Sequence, residues 1–142
     1  AGDTFPHDPA ITEAQAEDLW VRQTQAVMVA VDATDAIVGT YYLRPNSLCL
    51  GAHVANAGYV VAESHRRRGI GSRLCRHSLQ EARWLGYRAM QFNFVLASNT
   101  GALRLWHKLG FATIGTIPDA FDHPTAGMVD AHVMYKRLIP AT

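Results

Sequence analysis

"SHRRRGIGSRLC", residues 64–75, sets three arginines directly before Gly69-Ile70-Gly71 and runs unbroken into an amphipathic stretch. From there Ile70, Leu74, Cys75, Ser78, Leu79, Ala82 and Leu85 recur on one helical stripe. Arg73, Arg76, Gln80 and Arg83 take the other face. A helix therefore starts at the glycines, and Gly86 stops it. Upstream, "AGYVVAE" (57–63) reads as a strand aimed at the arginines; downstream, "YRAMQFNFVL" (87–96) reads as another. Strand, helix and strand make a βαβ unit whose two strands run parallel.

Working outward, residues 11–24 read as a short helix with Thr12 as N-cap and Glu13 and Glu17 in its first turns. "AVMVAVD" (26–32) and "AIVGTYYL" (36–43) read as a hairpin turning at Asp32-Ala33-Thr34-Asp35. Residues 44–56 read as an ordered loop. Asn99 caps a third helix carrying Ala102, Leu105, Trp106 and Leu109 on one face, with Gly110 as its stop. "FATIGTI" and "VDAHVMYKRL" close the chain as strands around a loop containing Pro and Asp. The fold class is α/β: a mixed, mostly antiparallel central sheet with flanking helices, in one domain spanning 1–142.

The 142 residues suit a single core, and 49% apolar with 18% charged residues is a globular composition. A net charge of +1 argues against a nucleic-acid protein working by bulk electrostatics. Seven of the nine Arg or Lys residues between Arg44 and Arg104 nevertheless fall between Arg66 and Arg88, with Glu81 as the one acid opposing them. That local charge suits a small polyanion. No apolar run approaches the roughly 20 residues of a membrane span, and Cys49 and Cys75 are too few for a disulfide framework or a cysteine-based zinc site. The spacing of His53, His123 and His132 matches no metal motif. A reduced, cytoplasmic setting without a metal, a membrane or a nucleic-acid partner is the expectation.

A helix N-terminus leaves backbone N–H groups unpartnered and carries about half a positive charge. Gly69 and Gly71 remove the side chains that would keep an anion away from those groups. Arg66, Arg67 and Arg68 add charge and forked donors suited to phosphate. The stretch reads as a diphosphate cradle. It is not a P-loop, because Ser72-Arg73 stands where Lys-Ser/Thr is needed. Nor is it the dinucleotide fingerprint, because position 74 is Leu.

Arg66-x-x-Gly69-x-Gly71 resembles the acetyl-CoA signature of the GNAT (Gcn5-related N-acetyltransferase) superfamily. "NTGALRLWHKLGF" (99–111) resembles that superfamily's later motif, and the order of elements from residue 26 to 138 matches its fold. The resemblance implies that the fold's first strand and helix belong upstream of residue 1. "GTYYLRPN" (39–46), "HVANAG" (53–58), "QFNFVLASN" (91–99), "IGTIP" (114–118) and "VDA" (129–131) resemble a subgroup that includes the fungal azetidine-2-carboxylate acetyltransferases.

What the resemblance implies is direct transfer from acetyl-CoA to the amine of a small molecule, such as an amino acid or cyclic imino acid, within a ternary complex. A protein or peptide N-acetyltransferase and a non-catalytic CoA-binding module are the alternatives; a homodimer stays open. Arg66, Arg67, Arg68, Gly69, Ile70, Gly71 and Ser72 would hold the cofactor's diphosphate. The strand carrying Val61 would splay from its neighbour and pair with the pantetheine arm, the Val61 N–H serving as oxyanion donor. Glu63 is a candidate general base, with His53, Asp130 and His132 behind it. Trp106 stands where the family places an acid Tyr, and an indole N–H cannot serve as that acid. A thiol of pKa near about 8.5 leaves as thiolate without help, so Trp106 is expected to wall the cofactor tunnel or pack the core. Asn99 is expected to cap its helix or touch the cofactor.

Asn56 and Asn93 are the candidate acceptor ligands. An unpaired amide at Asn93, between Phe92 and Phe94, would cost about 1–3 kcal/mol in a buried strand, so it needs a partner. Matching asparagines line the subgroup's substrate site; strand-end hydrogen bonding is the other role open to both residues.

Overall fold

The computed structural model describes residues 26–65 and 69–139. The helix expected over 11–24 and the triplet Arg66, Arg67, Arg68 lie outside the described residues. Among the described residues six strands form one sheet: β1 (Ala26–Val31), β2 (Ile37–Pro45), β3 (Val54–Val61), β4 (Ala89–Leu96), β5 (Ala112–His123) and β6 (Gly127–Arg137). Their order across the sheet is β1-β2-β3-β4-β6-β5, and every pairing except β3–β4 is antiparallel.

The β1–β2 hairpin turns where the sequence places it. Asp32 Oδ1 accepts from the Thr34 N–H and the Ala36 N–H, and Asp35 sits at φ 63°. Helix α1 (Ile70–Trp84) buries Leu74, Cys75, Ser78, Leu79 and Ala82 of the stripe read from the periodicity, while Ile70 is half-buried and Leu85, past the helix end, is exposed. Helix α2 (Thr100–Lys108) is capped by Asn99, whose Oδ1 accepts from the Ala102 N–H at 3.2 Å. Both helices cover one face of the sheet. Tyr41 reaches His77 of α1, Tyr59 reaches Ser78 of α1, and the Tyr59 and Trp106 rings lie 5.2 Å apart. Among the described residues no helix is long and apolar enough to cross a membrane.

The structure departs from the sequence reading in two segments. The third strand begins at Val54 rather than Ala57 and ends at Val61. Glu63 therefore lies on a single 3₁₀ turn (Glu63–His65), and the loop after β2 shrinks to a short connection containing a second such turn (Cys49–Gly51). The expected loop around Pro118 and Asp119 is strand: β5 continues through it to His123 across a register shift between Ile117 and Phe121. Asp119 takes φ 47° there, and its N–H donates to the Asp130 carboxylate at 3.0 Å. That bond satisfies the strand through the irregularity, which Pro alone would break.

Candidate active site

The parallel pairing of β3 with β4 is confined to Val54–Ala89 and Ala55–Met90. Beyond it the strands part. Asn56 sits one residue past the last pair, buried at 6% exposure, and its Nδ2 donates across to the Gln91 carbonyl at 3.0 Å. Asn56 thus closes the apex of a V-shaped gap.

The register of β3 decides what faces that gap. The Ala62 N–H donates to the Val38 carbonyl and the Asn46 N–H to the Val54 carbonyl, so the even-numbered residues of β3 exchange hydrogen bonds with β2. Antiparallel ladders alternate. The N–H groups of Ala57, Tyr59 and Val61 therefore point the other way, into the gap. A row of unpaired strand donors in the middle of a sheet is a ready template for an extended amide-bearing ligand.

At the wide end of the gap lies a cleft of about 300 Å³ lined by Val61, His65, Gly69, Ile70, Gly71, Ser72, Gly101 and Leu105. Gly69 caps α1 at φ 75° and supplies no side-chain cap. The first N–H groups of α1 thus have neither an intrahelical partner nor a capping oxygen. Gly39, opposite Val61, lets this turn approach the sheet: a Cβ there would meet Leu74 Cδ1 at 3.0 Å and Ile70 Cγ2 at 3.3 Å. A bare helix N-terminus over a glycine-lined cleft fits a diphosphate.

His65 and Gly101 are cleft residues that the sequence reading omitted. His65 Nε2 lies 3.8 Å from the Asp32 carboxylate, which hydrogen bonds from Thr34 hold below its usual range. Leu105 faces the cleft in place of its neighbour Trp106. Trp106 is buried in an aromatic cluster with Phe92 at 4.9 Å and Phe111 at 6.3 Å, so of its two expected roles the geometry places it in core packing. Asn99 spends its side-chain oxygen on the helix cap. Glu63 is exposed, two residues beyond Val61.

The sheet face away from the helices carries a polar cluster. Met90 and Phe92 point into the core, so Gln91 and Asn93 point out of it. Asn93 is exposed and lies in a bulge where β4 shifts register against β6 between Phe92 and Val95. The buried environment expected for it is corrected: Asn93 is on the face away from the helices and is exposed. Its expected partner exists: Asn93 Nδ2 donates to Asn46 Oδ1 at 2.6 Å, and its own oxygen accepts from Gln91 Nε2 at 3.0 Å. Asn56 and Asn93, far apart in sequence, are linked through Gln91. His53, Asp130 and His132 are absent from the cleft lining.

The chain matches the model of the acetyltransferase (GNAT) family over residues 2–111. The chain belongs to the GNAT family. This membership makes the protein an N-acetyltransferase. The GNAT chain is 31% identical to the N-acetyltransferase aca1 of Schizosaccharomyces pombe over 148 residues, covering 93% of this chain and 71% of that one. It superimposes on a GCN5-related N-acetyltransferase from Kribbella flavida with a TM-score of 0.90 at 44% identity, covering 96% of this chain and 83% of that chain. The yncA protein of Salmonella typhimurium, solved with its cofactor acetyl-CoA, shares the GNAT fold at TM-score 0.79 and 20% identity, covering 98% of this chain and 81% of that chain.

Proposed function

We propose that this protein transfers the acetyl group of acetyl-CoA to the amine of a small amino or imino acid, directly in a ternary complex. The observation that carries the reading is the gap itself. Unpaired N–H groups of β3 line it, and a bare helix N-terminus stands at its wide end. Acetyl-CoA, when bound, supplies an activated thioester and a thiol-bearing leaving group.

The chain's own groups then divide the work. The N–H groups at Gly69, Ile70, Gly71 and Ser72 hold the diphosphate, with the arginines of the 66–68 triplet adding charge. The N–H of Val61 donates to the carbonyl oxygen as charge grows on it, and the N–H of Tyr59 is a second donor on the same edge. Glu63 takes the amine's proton, directly or through water. Trp106 moves no proton, since an indole N–H is no acid at neutral pH. On the acceptor side, Asn93 presents amide groups from the bulge, while Asn56 holds the apex. Likeness to the azetidine-2-carboxylate subgroup supports an amino- or imino-acid acceptor. The reading involves no nucleic acid or membrane and places the protein in the cytoplasm.

A panel of amino acids, cyclic imino acids, simple amines and short peptides, each with acetyl-CoA, tests this by thiol release. Amino or imino acids should be acetylated fastest. Turnover confined to peptides, or no rise in melting temperature with about 1 mM acetyl-CoA as probe, when any ligand of the native state must cause one, would overturn it. Asn93→Ala should lower kcat/KM for the acceptor about ten- to a hundredfold and leave acetyl-CoA affinity unchanged.

A further inference from the structure

We infer that Arg44 anchors the acceptor by its carboxylate and so sets the enzyme's preference for amino or imino acids over amines that lack a carboxylate. This rests on the acetyl-transfer reading above. Arg44 pairs directly with Asn56 across β2 and β3, and Tyr42 pairs with Gly58. All four belong to the face away from the helices, because the intervening Tyr41 and Leu43 are core residues. A Cβ on Gly58 would run into the Tyr42 ring, so glycine lets that ring lie against β3. The Arg44 guanidinium carbon stands 5.5 Å from the ring centroid, and its Nε donates to Asn56 Oδ1 at 3.4 Å. Ring and amide thus hold the half-buried side chain at the apex of the gap.

Those contacts use one of five guanidinium N–H donors. No carboxylate among the described residues pairs with Arg44. Its polar neighbours in the cluster, Asn46, Asn56, Gln91 and Asn93, are all neutral amides. A lone fixed guanidinium among neutral amides is complementary to one planar anion, which it grips with two parallel N–H groups. An amino acid brings that anion; its carboxamide leaves the guanidinium unmatched. A simple amine brings its ammonium with no carboxylate to offset it. The arrangement therefore selects by rejection as well as by attraction.

The experiment compares the fastest-reacting acid of the panel with its own carboxamide, by kcat/KM, in wild type, Arg44→Gln and Arg44→Lys. Wild type should favour the acid at least tenfold. Arg44→Gln should lower the acid's kcat/KM about ten- to a hundredfold, the usual effect of losing a charge-assisted hydrogen bond, and leave the amide within about threefold. Arg44→Lys, which keeps charge without the fork, should fall between. A wild type that uses the amide equally well would overturn the inference without needing any variant. So would an Arg44→Gln that lowers acid and amide by one common factor, as a merely structural residue would. Failure of the parent reading looks different: acetyl-CoA stabilises the protein, yet neither member of any pair is acetylated, and both proposals fall.

Discussion

The Asn56 side-chain amide donates to the Gln91 carbonyl at 3.0 Å, immediately past the two residue pairs that join β3 to β4. A buried amide thus does the work of the next ladder bond at the point where the ladder stops. Asn56→Ala removes it and leaves a buried carbonyl unsatisfied, a cost of about 1–3 kcal/mol. Thermal melting should show a fall of several degrees, and affinity for acetyl-CoA and the acceptor should weaken together. A variant that melts like wild type would show that the apex is held by other contacts.

The two cradle glycines should fail differently. Gly69 has φ 75° and open space around its missing Cβ, so Gly69→Ala meets no clash but pays for a left-handed backbone, roughly 1–2 kcal/mol. At Gly71 a Cβ would make ordinary contacts, 3.6 Å to Leu105 and 4.0 Å to Val61. Gly71→Asp should therefore fold, yet place a carboxylate where the proposed function puts the diphosphate. Its melting temperature should no longer rise with acetyl-CoA; a retained shift would remove the phosphate assignment.

Trp106→Phe separates packing from chemistry. Loss of part of a buried ring should cost roughly 1–3 kcal/mol. Turnover in the folded fraction should stay within about threefold. A loss beyond about a hundredfold, the scale of a deleted general acid, would give the indole a catalytic part.

Alkaline stability should report Cys75. Burial pushes this thiol from 9.0 up to about 11, so between those pH values the unfolded chain releases a proton that the folded one keeps. Fewer protons bound in the unfolded state means stability falls as pH rises, by about 1.4 kcal/mol per pH unit per group. The contribution is complete below pH 9 and lost on the way to 11. Melting temperature should be level up to about pH 9 and then drop; Cys75→Ala should flatten the part of that drop due to this thiol. An unchanged slope would refute it.

Much of this fold is readable in the sequence itself. The α1 stripe, the Asn99 cap and the stops at Gly86 and Gly110 follow from local rules, because each is decided within one turn of helix. What the residue string concealed depends on pairing between distant strands. Asn93 reads as buried because its neighbours are aromatic, yet it alternates with the core residue Phe92 and so faces away from the helices, where the register shift against β6 leaves it exposed. Arg44 reads as the start of a loop until its partner across the ladder is known to be Asn56. The direction in which Val61 donates is likewise a matter of parity against β2, which no single segment contains.

The short β3–β4 pairing gives the sheet an interior edge in addition to the outer ones that β1 and β5 form among the described residues. Amides at Ala57, Tyr59 and Val61 should then exchange with deuterated water as fast as those of a margin, although they belong to a central strand. A ligand lying in the gap acts as a surrogate strand and slows that exchange. The ligand-free protein, with that edge exposed, offers a place for a foreign strand to pair. Its resistance to self-association should therefore depend on keeping the cofactor present.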